Sequence, residues 1–344
     1  MLLSDLTRRL KDRYLLYRYI RPFVARNHQR SINPENTICL FCQPRSGSAW
    51  FSEIVASIPH SGIIDEPLWR GAYGRSDQMP RPYDQKLQEI DQLNFYFNQP
   101  IPEHELWPEA YNMFESLLQV RQPNRYLYEE MDLYHLSQYQ TFVFKFNKAN
   151  LLFHWLRKNF DMKSLVLLRH PCATIASQIN GRFYDQARPI ENCITPEFRH
   201  SEYFEKYADI WKSIKTHEEY LAFIWSVNTT EVMDHPDRNR SYLIISYEGL
   251  LTAFDHEIDR IFKYLERPVP DEIEKMYQKV SPTAQLSSKE LIQSGQQLVA
   301  WRERLSQSTI DNILRVVNSF GIKYYDKNPV PSFDQIYAES DLPK

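Results

Sequence analysis

The chain has 344 residues, a formal net charge of −3 and 42% hydrophobic residues. It lacks the strong basic excess of a nucleic-acid-binding domain, the ~20-residue apolar run of a membrane-spanning helix, and the apolar core of a secretory signal. A cytoplasmic protein with a substantial core is expected, as one large domain or two ordinary ones.

Residues 1–30 are basic, with Arg8, Arg9, Lys11, Arg13, Arg18, Arg21, Arg26 and Arg30 set against Asp5 and Asp12. Leu3, Leu6, Leu10, Tyr14 and Tyr17 recur at helical spacing. The simpler expectation is a helix packed on its own domain with its arginines in solvent. The alternative is peripheral contact with an anionic membrane.

From residue 37 the pattern alternates between strand and helix. Thr37–Cys42, Phe142–Phe146, Leu165–Leu168 and Tyr242–Ile245 are short, nearly continuous apolar runs, as expected of strands buried on both faces. Helical patterns follow them at Trp50–Ile58, Leu151–Asn159, Ala173–Ile179 and Leu250–Leu265, and Gly62–Asp65 reads as a further strand. This predicts a three-layer α/β sandwich, with a mostly parallel central sheet and helices on both faces. Cys39 and Cys42 have C-x-x-C spacing inside the first run. Residues three apart on a strand face opposite sides, so buried structural thiols are expected, with no metal or redox site.

Residues 69–140 are rich in Pro, Tyr, Phe and Trp and break the rhythm, as an insertion over the strand ends would. With no linker or repeat evident, a single domain over 31–330 with a 331–344 tail is expected.

The strongest local signal is Gln43-Pro44-Arg45-Ser46-Gly47-Ser48-Ala49-Trp50, between a strand and a helix. Gly47 permits close backbone approach to an anion. Arg45 supplies charge, Ser46 and Ser48 supply hydroxyls, and the helix N-terminus supplies free N–H groups. Gly47 is followed by Ser48 and Ala49, where the ATP-type loop carries Lys and Ser/Thr. A second signal is Arg169-His170-Pro171, where a strand gives way to a Pro-initiated helix that carries Thr174 and Ser177 on one face. Two anion cradles after two separate strands imply a ligand with separated phosphates.

Pro44-Arg45-Ser46-Gly47-Ser48-Ala49-Trp50 resembles the 5′-phosphosulfate loop of sulfotransferases, usually P-[KR]-S-G-[ST]-[ST]-W. Arg169 and Ser177 match the family's 3′-phosphate pair. Ser246-Tyr247-Glu248-Gly249-Leu250 resembles its Y-E-D-L segment, and Trp301-Arg302-Glu303-Arg304-Leu305 resembles the W-R-x-x-L segment of carbohydrate-type and bacterial members. The resemblance implies a P-loop-like fold and 3′-phosphoadenosine 5′-phosphosulfate (PAPS) as sulfate donor, with no metal. It places Arg45, Ser46, Gly47, Ser48 and Ala49 on the phosphosulfate, Trp50 near the adenine, and Arg169 and Ser177 on the 3′-phosphate. Tyr247 would join the nucleotide site or pack below it. Residues 281–302, including Ser287, Ser288, Trp301 and Arg302, would cover the nucleotide.

One departure concerns the acceptor. Small-molecule cytosolic members carry K-T-H where this chain has Lys145-Phe146-Asn147. Asp65-Glu66-Pro67 resembles instead the E-P segment of carbohydrate and bacterial members. That implies Glu66 as base, Lys145 as a charge-stabilising partner, and a carbohydrate or glycolipid hydroxyl (or an amine) as acceptor. Trp69, Tyr73, Tyr83, Phe95, Tyr96, Trp107 and Tyr111 would either stack sugar rings or form a satellite core. The alternatives are a P-loop nucleotide kinase or NTPase, and a non-catalytic nucleotide-binding protein of the same fold.

Overall fold

The computed structural model describes residues 10–68, 98–181, 189–238, 240–278 and 295–337. Five parallel strands form one sheet: β1 (Thr37–Cys42), β2 (Ser61–Asp65), β3 (Thr141–Asn147), β4 (Lys163–Leu168) and β5 (Leu243–Ser246). Their order is β2-β3-β1-β4-β5, so the chain reverses direction across the sheet at β1.

Alternation along each strand sends side chains to two separate cores. Cys39, Phe41, Phe144, Phe146, Val166 and Ile244 face one layer, and Ile38, Leu40, Cys42, Val143, Leu165 and Ile245 face the other. The principal helices are α1 (Ser48–Val55), α2 (Pro108–Leu118), α3 (Phe153–Asn159), α4 (Pro171–Asn180), α5 (His217–Met233), α6 (Tyr247–Thr252), α7 (Phe254–Leu265) and α8 (Gln307–Ser319). Residues of α2, α3, α4, α5 and α8 pack in the first core, and those of α1, α6 and α7 in the second. The expected sandwich is present. Cys39 and Cys42 are fully buried in different layers, and burial pushes both thiols up, Cys42 to about 12.

Four local expectations need correction. Leu250–Leu265 is two helices, broken at Ala253, and the first begins at Tyr247 because Ser246 caps it. The described part of the 69–140 insertion is no separate cover. Helix α2 buries Ala110, Met113, Phe114, Leu117 and Leu118 in the main core, and Tyr111 stacks on Phe160. Trp69, Tyr73, Tyr83, Phe95 and Tyr96 lie outside the described residues. The 331–344 tail is embedded as far as Tyr337, whose hydroxyl accepts from the Ser246 amide at 2.9 Å. Among the described residues of the N-terminal segment Leu15, Ile20 and Phe23 are the buried apolar ones, while Leu10, Tyr14 and Tyr17 of the expected stripe are exposed and Leu3 and Leu6 lie outside the described residues. Among the described residues no helix is long and apolar enough to cross a membrane.

Candidate active site

All five strands run the same way, so their C-terminal ends share one edge, where open α/β sheets bind ligands. Glu66 follows β2, Lys145 and Asn147 end β3, Arg45 follows β1, Arg169 follows β4, and Tyr247 follows β5. Across that edge the order is Glu66, Lys145 with Asn147, the Arg45 loop, Arg169, Tyr247. The loop at the switch point therefore has carboxylates on one side and a second cation on the other.

The loop is wound tightly. Ser46 N–H donates to the Gln43 carbonyl at 3.1 Å, and both Arg45 (φ 70°) and Gly47 (φ 93°) are left-handed. Gly47 sits against Tyr247, and a methyl there would lie 2.5 Å from two ring carbons. The buried Ser46 hydroxyl has no hydrogen-bond partner, and the first N–H groups of α1 lack intrahelical partners. An orphaned hydroxyl beside a bare backbone and a helix N-terminus fits a bound phosphate or sulfate group. Gly47→Ala should destabilise the fold by about 1–3 kcal/mol through left-handed strain and overpacking, read as a drop in denaturation midpoint. An unchanged midpoint would mean that the contact with Tyr247 constrains nothing.

Guanidinium groups gather on the β4 side. Arg45 Nε donates to Ser177 Oγ at 2.9 Å, and Arg169 donates to the Arg45 carbonyl at 2.9 Å. Arg169 also lies 4.2 Å over the Tyr247 ring. The Arg45 pKa is lowered, first by burial and then by Arg169 and Arg304. A guanidinium crowded by like charges marks a site that an anion would relieve. Arg45, Arg169 and Ser177 are thus brought together as expected. Arg302 is not; it donates to the Lys327 carbonyl at 2.6 Å. Arg304 is exposed and lies close enough to lower the Arg45 pKa.

Trp50 and Trp301 are buried supports. Trp50 packs between Tyr247 and Phe254 and donates to the Met276 carbonyl at 2.7 Å. Trp301 stacks on His170 at 4.8 Å. Tyr247 donates to Gln297 at 2.5 Å, which ties the Arg45 loop, through the Gly47–Tyr247 contact, to the described end of residues 281–302. Ser287 and Ser288 lie outside the described residues.

His170 fixes the turn that presents Arg169. Its Nδ1 accepts from Cys172 N–H at 3.1 Å, and its Nε2–H donates to the Asp326 carbonyl at 2.8 Å, so the neutral tautomer is set. Burial pushes its pKa from 6.5 down to about 4. A depressed histidine gives stability that is complete above the unfolded pKa and is lost as pH falls towards the folded one. His170 should therefore contribute about 3 kcal/mol near neutral pH, lost between pH 6.5 and about 4. Denaturation curves of the protein and of His170→Gln should converge over that window. Parallel curves would contradict the neutral assignment.

On the β3 side, register places Asp65 opposite Lys145, and the two form an ion pair. Asn147 Nδ2 donates to Glu66 Oε1 at 2.5 Å, and Lys145 Nζ is 3.9 Å from the same oxygen. Lys145 is buried, and the Glu66 side chain is 29% exposed. Glu66 therefore keeps one oxygen on Asn147 and a partly open approach. Asp65 was missed as the partner of Lys145, because its role depends on the β2–β3 register. No cluster of His, Cys, Asp and Glu among the described residues could hold a metal ion.

The chain matches the sulfotransferase domain family over residues 35–307. A search of curated proteins gives no match. Similar solved structures include the sulfotransferase domain of the Synechococcus PCC 7002 olefin synthase (16% identity, 86% of this chain and 97% of that one, TM-score 0.42). Others are the sulfotransferase domain of the curacin biosynthetic pathway (14%, 85% and 99%, 0.43) and STF9 from Mycobacterium avium (13%, 90% and 83%, 0.42).

Proposed function

The chain belongs to the sulfotransferase family, and from that premise we propose that it transfers a sulfuryl group from PAPS to a hydroxyl or amine, with a carbohydrate or glycolipid as acceptor. PAPS supplies an activated sulfuryl group and a 3′-phosphate. Ser46, Gly47, Ser48 and the α1 N-terminus hold the phosphosulfate end. Arg45 belongs to that end as well, and Arg169 and Ser177 hold the 3′-phosphate end with Arg304 at its edge. Lys145 stabilises charge on the leaving phosphate oxygen. Glu66 accepts the proton of the attacking hydroxyl.

The observation that supports this most is the order of groups along the sheet edge. The guanidinium cluster lies on one side of the loop that follows β1, and the Lys145–Asp65–Glu66 group lies on the other. A donor lying across the loop would present its sulfuryl group towards the carboxylates. The acceptor class is supported by Glu66 before Pro67 and by Asn147 at the family's histidine position. Trp107 and Tyr111 add nothing, because both pack on the core.

Cofactor selectivity tests the reading. 3′-Phosphoadenosine 5′-phosphate (PAP) should bind at least about tenfold more tightly than ADP, since a charge-assisted phosphate contact is worth roughly 1.5–3 kcal/mol. Equal affinities, or tighter binding of Mg-ATP, would favour the kinase reading.

A further inference from the structure

The N-terminal helical segment has two opposed faces. Leu15, Ile20 and Phe23 are buried against the domain, and Asp12 is buried in an ion pair with Arg125. On the other side Leu10, Tyr14 and Tyr17 are 61%, 56% and 53% exposed. Their i, i+4, i+7 spacing makes one stripe. The stripe continues onto a second element, because Tyr134 is exposed and meets Tyr19 edge-on at 5.0 Å.

Cations border this stripe. Arg13 and Arg18 line a shallow depression with Tyr14 and Tyr17, Arg21 lies 4.4 Å over the Tyr17 ring, and Lys11 is exposed. Asp12 is the single carboxylate between residues 10 and 30, and it points inward. Beside Tyr134, Asp132 is held by His135 at 2.7 Å. Leucine and tyrosine flanked by arginine and lysine suit the boundary between lipid headgroups and acyl chains. A second copy is a poor occupant, since symmetric pairing would set arginine against arginine.

We propose that this face docks the protein reversibly on an anionic bilayer, with Leu10, Tyr14, Tyr17 and Tyr134 entering the interface and Lys11, Arg13, Arg18 and Arg21 meeting lipid phosphates. Docking would leave the sheet edge free, because the stripe shares no residue with the site.

The test is co-sedimentation of the full chain with two kinds of vesicle. One is phosphatidylcholine alone; the other contains about one-third phosphatidylglycerol, and only this one should capture the protein through its surface potential. Raising salt to about 0.5 M should release most of the bound protein by screening. Leu10→Ser/Tyr14→Ser/Tyr17→Ser and Arg13→Glu/Arg18→Glu should each weaken capture at least about tenfold. Both variants should keep the parent's PAP affinity and circular dichroism, since the substituted side chains are solvent-exposed. No capture on anionic vesicles, equal capture on neutral ones, or undiminished capture of both variants would overturn the proposal. So would loss of the stripe's exposure through dimerisation, seen as a mass shift that the Ser variant abolishes.

Discussion

Glu66→Gln should lower turnover by roughly 10²–10⁴ if Glu66 is the general base, with PAP affinity nearly unchanged. The geometry makes this substitution informative. Glu66 holds Asn147 at 2.5 Å, but the close ion pair of Lys145 is with Asp65. An amide at position 66 keeps an oxygen for Asn147, and removing the Glu66 charge leaves the Asp65–Lys145 pair intact. A purely supporting Glu66 would therefore tolerate the change. Near-normal turnover would remove Glu66 from the role. Lost PAP binding would mark it as structural. Asp65→Asn separates the two groups. It should loosen Lys145 and lower turnover while leaving the Asn147–Glu66 hydrogen bond in place.

Arg169→Ala should weaken PAP by about 2–5 kcal/mol, and far more than it weakens adenosine 5′-phosphosulfate, which has no 3′-phosphate. The second ligand is a necessary control. Arg169 donates to the Arg45 carbonyl and covers the Tyr247 ring, so its loss also loosens the loop that would hold the 5′ end. Both ligands feel that loosening, and PAP alone loses a phosphate contact. Isothermal titration of both ligands gives the difference directly. Equal weakening would assign Arg169 to loop support only. Arg304→Ala, at the edge of the same cluster, should produce a smaller loss with the same preference for PAP.

Much of the fold was legible because four of its five strands are buried on both faces, while β2 alternates between buried and half-buried. Such strands are continuous apolar runs, and each is followed by a helix, so the parallel sheet and its five strands could be located to within about two residues. Helix α5 was available and missed. Thr216 and Glu219 form a capping box, but α5 buries residues around its circumference and shows no clean apolar stripe. Helix α2 had Pro108 at its first turn and apolar residues at three- and four-residue spacing, and was hidden by the aromatic content around it.

The site was legible where it depends on one loop and obscure where it depends on pairing. Arg45 through Trp50 is a contiguous motif, and Arg169 with Ser177 is one turn and one helix. Asp65 acquires its partner only when β2 pairs with β3, and strand pairing is not written in either segment alone. For Trp50 the motif allows packing on the sheet, contact with the adenine, or both, and it does not separate them. Trp50 lies between Tyr247 and Phe254, and Trp301 lies behind His170, where large aromatics contribute most by excluding water. The N-terminal stripe has helical spacing, and its described members Leu10, Tyr14 and Tyr17 face away from the domain. Periodicity finds apolar residues on one side of a helix and is silent on whether protein or something else covers them.

The most direct measurement is transfer of a radiolabelled sulfuryl group from PAPS to a panel of glycans, glycolipids, phenols and peptides, with PAP release followed in parallel. Labelled product should appear with a carbohydrate-bearing acceptor, in step with PAP and without added metal, and should be reduced to near background by Glu66→Gln. PAP-binding protein that labels no acceptor class, or labels phenols alone with Glu66→Gln fully active, would contradict the account.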